Sequence, residues 1–159
     1  MRIALLTVST AGAAGKRADA SGDAIVVWAR AHQHAVVARG LVPDDVNAIV
    51  ARLLGWCDGD VADLVLTTGG TGLSPTDRTP EATRAVIERE APGIAELLRA
   101  TGVKQSTRAA LSRGVCGVRH RTLIINLPGS TRGVTESLAA LDEIVGHAVA
   151  IVRGDAGGH

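Results

Sequence analysis

The chain has 159 residues, 46% of them apolar, which suits one compact domain with a sizeable core. The 17 Lys and Arg residues against 16 Asp and Glu residues leave a net charge of +1, which argues against nucleic acid or an anionic membrane as the main partner. With two Trp and no Phe or Tyr, the chain has no material for a platform that stacks RNA bases.

The chain contains no apolar run long enough to span a membrane, and no signal-peptide pattern follows Arg2. Its two cysteines, Cys57 and Cys116, stand far apart without a C-x-x-C motif. We therefore expect buried thiols rather than a disulfide or a metal pair. Reduced thiols favour the cytoplasm as the compartment.

The first half of the chain alternates short apolar runs with amphipathic segments. A continuous apolar run such as Ile3 to Val8 is typical of a strand buried on both faces. The predicted elements are a strand at 3–8, a polar loop at 9–19, a helix at 20–31, a strand at 34–42, a helix at 46–54 and a strand at 61–67.

The second half continues the alternation. The predicted elements are a helix at 80–90, a break at 91–93, a helix at 94–100, a helical turn at 107–112, a strand at 121–127, a long amphipathic helix at 134–152 and a frayed tail at 154–159. This order predicts an α/β fold, a three-layer sandwich with a mainly parallel sheet and helices on both faces. Because no repeat or linker interrupts it, we expect residues 1–153 to form one domain.

A glycine-rich loop follows the third predicted strand. Its backbone N–H groups lack side-chain cover, so a phosphate can approach them. A tight connection without a ligand remains the alternative, since the loop is neither G-x-x-x-x-G-K-[ST] nor G-x-G-x-x-G. The candidate ligand-contacting residues of this loop are Thr68, Gly69, Gly70, Thr71 and Gly72.

A carboxylate and a helix start come after the loop. Thr79 is a good N-cap, Pro80 suits the first helical position, and the N–H groups of such a start favour anions. Asp77 would repel a phosphate unless a cation lay between them, and Mg²⁺ typically uses one or two carboxylates together with substrate phosphates. We therefore predict a phosphorylated ligand at the C-terminal end of this strand, with Asp77 as a magnesium ligand.

A second strand-to-helix junction has similar chemistry. Pro128 and Gly129 break the strand at 121–127, and Ser130 and Arg132 then offer a hydroxyl and a cation at a helix start. Ser130 as a plain N-cap and Arg132 as a solvated surface charge are the alternatives. Two such junctions at the C-terminal edge of one sheet would form two walls of a cleft.

Three further residues could reach the same edge. Asp44 follows the second strand, where a helix cap after Pro43 is an equally good interpretation. Ser112 and Arg113 could line the cleft as well, and an arginine there would suit an anionic ligand.

The two junctions, together with several shorter motifs, resemble the MogA/MoaB-like proteins of molybdenum cofactor biosynthesis, whose domain also forms the N-terminus of gephyrin. The resemblance covers nearly the whole chain, and its motifs come in the same order. These motifs are Asp19-Ala-Ser-Gly22, Val42-Pro-Asp44, the glycine-loop segment from Leu66 to Thr83, Ala91-Pro-Gly93 with Glu96, Leu111-Ser-Arg113 and Thr122-Leu-Ile-Ile-Asn-Leu-Pro-Gly129.

The resemblance implies a molybdopterin adenylyltransferase, which converts ATP and molybdopterin into adenylylated molybdopterin and pyrophosphate with Mg²⁺. By position, the loop at 69–72 would face the nucleotide and its phosphates. Asp44 and Asp77 match the acidic pair associated with catalysis, while Ser112 and Ser130 would line the pterin side. The resemblance also implies a homo-oligomer, either a trimer or a dimer of trimers, and points to the molybdenum-insertion enzyme as a partner.

The sequence departs from the family pattern at two places. The usual Pro-Arg-Asp-Val is Pro75-Thr-Asp-Arg78 here, and the usual Pro-Gly-Ser-Pro-Lys is Pro128-Gly-Ser-Thr-Arg132, so we expect Arg78 and Arg132 to supply the displaced charge. Two rival interpretations remain. One is a MoaB-type protein or trimeric scaffold that binds a pterin or nucleotide without reaction. The other is the molybdenum-insertion enzyme, whose extra domains do not fit within 159 residues.

Overall fold

A computed structural model describes residues 1–155 and shows one sheet covered by helices on both faces. The strands are β1 (Arg2–Val8), β2 (Ala35–Val42), β3 (Leu64–Thr68), β4 (Arg89–Glu90), β5 (Cys116–Arg119) and β6 (Thr122–Leu127). The helices are α1 (Thr10–Ala13), α2 (Ala20–Ala31), α3 (Val46–Asp58), α4 (Thr79–Val86), α5 (Pro92–Gln105), α6 (Thr131–Leu141) and α7 (Val145–Arg153), with a 3₁₀ helix at Thr107–Leu111. None of these helices in residues 1–155 has both the length and the apolar character that a bilayer crossing requires.

The sheet has the strand order β2-β1-β3-β6-β5-β4. The first four strands in that order run parallel, and β5 and β4 complete the sheet by antiparallel pairing. Because β1, β2, β3 and β6 point the same way, the loops that follow them lie at one edge, called here the carboxyl edge; the opposite edge is the amino edge. This topology confirms the predicted mainly parallel sheet.

Two hydrophobic cores lie on opposite faces of the sheet, as alternating side chains on buried strands require. On one face Ile3 and Leu5 of β1 pack with α2, α5, α6 and α7. On the other, Ala4 and Leu6 pack with α3 and α4. The helices therefore form two layers around the sheet, which confirms the three-layer sandwich.

Several predicted boundaries needed correction. Helix α2 matches its prediction, but the segment predicted as a loop at 9–19 contains the single turn α1, capped by the Ser9 hydroxyl, which accepts from the Gly12 N–H at 3.1 Å. Helix α3 runs on to Asp58, and α5 runs on to Gln105.

The helix predicted at 80–90 is wrong in its second half. Helix α4 ends at Val86, because Arg89 and Glu90 pair with Val118 and Gly117 as the edge strand β4. This pairing partner lies far along the chain, so the local sequence carries no sign of it. Short edge strands of this kind depend on tertiary pairing more than on propensity.

The long helix predicted at 134–152 is two helices. Helix α6 ends at Leu141, and α7 begins at Val145. At the break, the Asp142 carboxylate accepts a hydrogen bond of 2.7 Å from the Trp28 indole N–H on α2. Gly154 ends α7 in the left-handed conformation. Residues 156–159 of the predicted tail lie outside the described residues.

Candidate active site

The two glycine-broken junctions meet at the carboxyl edge, as the sequence predicted. The Thr68 hydroxyl at the end of β3 donates to the Pro128 carbonyl after β6, at 2.6 Å. A Cβ placed on Gly129 would lie 3.2 Å from the Gly69 Cα. The two loops are therefore in backbone contact, and they share one wall of the site.

The glycine loop requires glycine at two consecutive positions. Gly69 and Gly70 have φ values of +93° and +65°, where a side chain is strained. A Cβ on Gly69 would lie 2.3 Å from the Val8 carbonyl oxygen, and one on Gly70 would lie 2.4 Å from the Thr79 Oγ1. These two glycines serve the close packing of the loop, whatever else they contact.

Two adjoining cavities open at the carboxyl edge. The larger has a volume of about 570 Å³ and lies between the two loops, α5, α6 and the 3₁₀ helix. The smaller has a volume of about 390 Å³ and lies between the loops and the segment that follows β1. Both volumes are in the range of small-molecule sites. The residues that line both cavities are Gly70, Asp77, Gly129 and Ser130.

All of the predicted site residues except Arg78 and Arg113 line at least one of these cavities. Four of them form the shared wall just described. Those that line only the larger cavity are Thr71, Gly72, Ser112, Pro128 and Arg132. Those that line only the smaller are Asp44, Thr68 and Gly69. The structure thus brings the predicted residues together, although their chemical roles remain predictions.

Asp77 is half-buried at the shared wall. Its Oδ2 accepts the Ser74 N–H at 3.0 Å and lies 2.8 Å from where a Cβ on Gly72 would be. Its Oδ1 accepts no hydrogen bond from residues 1–155, so this oxygen can take a ligand. The glycine at position 72 is what lets the carboxylate lie against the loop.

Asp44 lies on the other side of the loop and is also half-buried. Its Oδ2 accepts from both the N–H and the hydroxyl of Thr10, at 3.0 and 2.7 Å. Its Oδ1 lies 3.2 Å from the position of a Cβ on Gly70. Asp45, not Asp44, caps α3 by accepting the Ala48 N–H. The interpretation of Asp44 as a helix cap is therefore wrong.

Two carboxylates thus flank one glycine loop, an arrangement that fits a magnesium ion. Asp44 and Asp77 each have one oxygen held by a protein donor, and both carboxylates lie against the loop, Asp44 through Oδ1 near Gly70 and Asp77 through Oδ2 near Gly72. Mg²⁺ commonly takes one or two protein carboxylates and completes its shell with phosphates and water. No three His, Cys, Asp or Glu side chains within residues 1–155 gather into a metal cage.

The second junction combines a cap with an exposed cation. Ser130 is the N-cap of α6 and accepts the Gly133 N–H at 3.1 Å. Arg132 is mostly exposed and pairs with Glu136 one turn along the helix. The plain N-cap interpretation of Ser130 is confirmed, but its place in the shared wall leaves a ligand contact open as well.

The expected places of Arg78 and Arg113 in the cleft and the expected N-cap role of Thr79 are wrong. Arg113 and Arg78 line neither cavity in the part of the chain that the structure describes. Thr79 is not an N-cap: Arg78 holds that position, and the Thr79 hydroxyl donates instead to the Gly69 carbonyl at 2.8 Å. Arg132 is therefore the one of the two displaced arginines that reaches a cavity.

Arg113 instead donates hydrogen bonds to backbone carbonyls of the glycine loop and of the segment after it, without lining either cavity. Its Nε donates to the Gly72 carbonyl at 2.7 Å, and its Nη2 donates to the Asp77 carbonyl at 2.8 Å. Its guanidinium also pairs with the Glu81 carboxylate on α4. The hydrogen bond between the two side chains holds the pKa of Glu81 below its usual value and raises that of Arg113.

The sequence did not single out several lining residues. Arg99 and Arg108 add positive charge to the larger cavity, while Arg17 and Asp19 line the smaller one. Asp19 lies in the motif at 19–22 that carried part of the family resemblance, so a signal for it was present. Arg99 and Arg108 lie on helical segments away from either strand end, and no local pattern marked them.

Neither cysteine is available as a nucleophile. Cys57 and Cys116 are buried and free, as predicted. Burial raises the pKa of the Cys57 thiol to about 11 and that of Cys116 to about 12. Because the thiolate is the reactive form, these thiols are inert at neutral pH.

Comparison with known proteins gives a consistent picture. Residues 4–147 match a family described as a probable molybdopterin binding domain. The chain is 43% identical over 115 residues to the Drosophila melanogaster molybdenum cofactor synthesis protein cinnamon, covering 72% of this chain and 19% of that protein. It is 41% identical over 115 residues to the molybdopterin adenylyltransferase of Helicobacter pylori strain J99, covering 72% of this chain and 65% of that enzyme.

A solved structure extends the similarity to nearly the full length. The molybdopterin biosynthesis enzyme MoaB of Thermus thermophilus superimposes with a TM-score of 0.91 and 50% sequence identity, covering 96% of both chains. The chain thus spans about two thirds or less of the first two curated relatives, but almost all of this bacterial protein.

Proposed function

This chain belongs to the molybdopterin-binding domain family of molybdenum cofactor biosynthesis, in the MogA/MoaB-like group, and from that premise we propose that it is a Mg²⁺-dependent molybdopterin adenylyltransferase. The observation that carries the proposal is the wall of Gly70, Asp77, Gly129 and Ser130 shared by two cavities. A transfer between two bound substrates needs such a meeting point.

In the proposed reaction, a terminal phosphate oxygen of molybdopterin attacks the α-phosphorus of ATP. A P–O bond forms to that phosphorus, the bond from it to the oxygen that bridges the β-phosphorus breaks, and pyrophosphate leaves. No protein nucleophile is required, in accord with the inert cysteines. Catalysis then depends on positioning the substrates and stabilising charge.

The residues that line the two cavities suit the binding of one substrate in each. The pterin would occupy the larger cavity, where Ser112 and Ser130 offer hydroxyls and Arg99 and Arg132 offer positive charge for its phosphate. The nucleotide would lie along the loop at 69–72 and extend into the smaller cavity. The two phosphate groups would then meet at the shared wall.

Asp77 would hold Mg²⁺ through its free oxygen, and Asp44 would act from the opposite side of the loop. When bound, the ion would offset negative charge on the phosphates. Thr10 fixes the orientation of Asp44, and Ser74 fixes that of Asp77, so both carboxylates are preorganised.

A binding-only protein of the MoaB type is the second candidate. Two observations favour it: the 50% identity to a protein named MoaB, and the position of Arg78 outside both cavities. Such a protein would use the same cavities to hold a pterin or nucleotide without reaction.

The deciding experiment measures pyrophosphate release from ATP, molybdopterin and Mg²⁺. We expect turnover by the wild type and a loss of about 10²–10³-fold in kcat for Asp77→Asn, the usual cost of removing one electrostatic group from a site. The asparagine retains an oxygen that can accept the Ser74 N–H, so the loop should keep its shape.

Asp45→Asn is the matched control, because asparagine caps a helix as well as aspartate does and position 45 lines neither cavity. It should keep wild-type turnover. Molybdopterin binding by the wild type without pyrophosphate release would instead establish the binding-only protein. Undiminished turnover by Asp77→Asn would remove Asp77 from the mechanism.

The proposal extends to assembly and location. A homo-oligomer, either a trimer or a dimer of trimers, and the molybdenum-insertion enzyme as a partner follow from the family resemblance, and a cytoplasmic location follows from the two free thiols. Exposed apolar side chains such as Val27 and Ile151 could be buried in an interface with a second copy of the chain. Sedimentation equilibrium would measure the assembly directly: a monomer across the micromolar range would contradict it.

A further inference from the structure

We infer that Arg113 is a positioning residue, whose side chain fixes the distance between the glycine loop and Asp77. The inference rests on the proposed adenylyl transfer and adds to it a residue that lines neither cavity. Its basis is the set of hydrogen bonds that one side chain makes to both ends of the segment 72–77.

The segment between the glycines and α4 has little packing of its own. Leu73 is 65% exposed, and the residues that follow it to Thr76 are exposed too. A loop without buried side chains depends on hydrogen bonds for its shape. The bonds within the segment include a reciprocal pair between Ser74 and Asp77, where the N–H of each residue donates to an oxygen of the other, at 3.0 Å.

Arg113 connects the two ends of this segment by hydrogen bonds from a distant part of the chain. Its backbone N–H donates to the Thr71 carbonyl at 2.8 Å, and its guanidinium reaches the carbonyls of Gly72 and Asp77. One rigid group therefore joins the two ends of the segment. The planar guanidinium presents its donors at fixed angles, so it sets the separation between the two carbonyls.

Glu81 holds the guanidinium in place. Its carboxylate pairs with Arg113 from the first turn of α4, which connects the loop to a regular element. The Glu81 hydrogen bond, opposed by burial, is the main cause of the raised pKa of the Arg113 guanidinium, and the nearby negative charges of Glu81 and Asp77 add to it. The chain of contacts thus runs from α4 through Glu81 and Arg113 to the proposed magnesium ligand.

The test substitutes Arg113→Lys, which keeps the charge but cannot make two fixed hydrogen bonds. Arg119→Lys is the matched control: Arg119 also joins a carboxylate, that of Asp58, to a backbone carbonyl, that of Val86, but at the amino edge. Both variants lose comparable contacts, so a merely structural role would affect both alike.

Two readouts separate the roles. For Arg113→Lys we expect kcat to fall about 10–100-fold with little change in KM, the pattern of a misplaced catalytic group. We also expect amide hydrogen exchange at Ser74 and Asp77 to speed up about tenfold or more. Arg119→Lys should change neither, although both variants should melt at slightly lower temperature.

Unchanged exchange at positions 74 and 77 in Arg113→Lys would overturn the inference, and so would equal losses of kcat in the two variants. The exchange readout needs no turnover. If the wild type releases no pyrophosphate, the proposed function fails, while faster exchange in Arg113→Lys alone would still establish that Arg113 holds the loop.

Discussion

The two carboxylates of the candidate active site are held differently from the carboxylates at the amino edge of the sheet. At the amino edge, arginines pair with carboxylates: Arg2 binds Asp63 through its backbone N–H at 2.7 Å and its Nη2 at 2.8 Å, and Arg153 pairs with Asp60. At the carboxyl edge, within residues 1–155, Asp44 and Asp77 are held by hydroxyl and backbone N–H groups and form no ion pair.

This difference separates stability from function in one fold. Paired charges stabilise the amino edge because each partner already satisfies the other. Carboxylates held by neutral donors keep their net charge for a ligand. Open α/β sheets generally bind ligands beyond the carboxyl ends of their strands. Ion pairs also occur near the carboxyl edge, where Arg39 pairs with Asp19, Arg113 with Glu81 and Arg132 with Glu136. The two carboxylates proposed to bind the ion, Asp44 and Asp77, are the ones held by neutral donors.

The largest expected effect on stability and turnover comes from adding a side chain to the glycine loop at the carboxyl edge with Gly69→Ala. The added Cβ would lie 2.3 Å from the Val8 carbonyl oxygen at a φ of +93°, so the backbone of the loop must move. We expect a loss on the order of 3 kcal/mol in unfolding free energy and at least 10²-fold in kcat/KM, measured by denaturant unfolding and by pyrophosphate release.

Gly55→Ala on α3 is the control for this substitution. Gly55 is exposed, and a Cβ there meets no atom within 4 Å. Alanine in a helix interior should raise the unfolding free energy by about 0.5–1 kcal/mol and leave turnover unchanged. Equal stability of Gly69→Ala and the wild type would show that the loop does not need glycine at this position.

A smaller effect should follow from breaking the amino edge with Asp63→Asn. Asp63 accepts hydrogen bonds from the backbone and side chain of Arg2, and its side chain is only 14% exposed. We expect a loss of about 1–2 kcal/mol in unfolding free energy and wild-type turnover. Asp23→Asn, which breaks an exposed pair with Arg39, should cost less than about 0.5 kcal/mol. A loss of turnover in Asp63→Asn would show that the paired charges at the amino edge matter for catalysis and not only for stability.

The smallest expected effect is the change with pH of the difference in unfolding free energy between the wild type and Asp63→Asn. Burial opposes ionisation of Asp63, but the hydrogen bonds from Arg2 outweigh it and hold the pKa of the carboxyl below its usual value. Its stabilising contribution is therefore complete above the unfolded pKa of about 3.9 and is lost as the pH falls through the lower folded value.

Denaturant unfolding of the wild type and Asp63→Asn between pH 7 and about pH 2.5 checks this sign. The gap between the two proteins should stay constant down to about pH 5 and shrink below about pH 4. A gap that widens as the pH falls would mean that the folded state raises, rather than lowers, the pKa of Asp63.

The parts of the fold that depend on local sequence were predictable. The apolar runs of β1, β3 and β6 and the Ser130 cap of α6 are visible in the chain, and the meeting of two glycine-broken strand ends follows from parallel topology. The site residues at strand ends were found for the same reason.

The parts that depend on distant partners were not predictable. The break between α6 and α7 lies where Asp142 accepts from Trp28, while the apolar periodicity of the sequence runs through it without interruption. The same holds for β4, which exists because β5 pairs with it, and for Arg113, whose sequence position suggested a cleft residue. In each case the deciding contact joins residues that are far apart in the chain.

A crystal structure of the chain with adenylylated molybdopterin tests the central claim most directly. We predict that the phosphates lie at the wall of Gly70, Asp77, Gly129 and Ser130, with the pterin in the larger cavity and the adenosine in the smaller. Phosphates bound away from that wall, or both ring systems in one cavity, would contradict it.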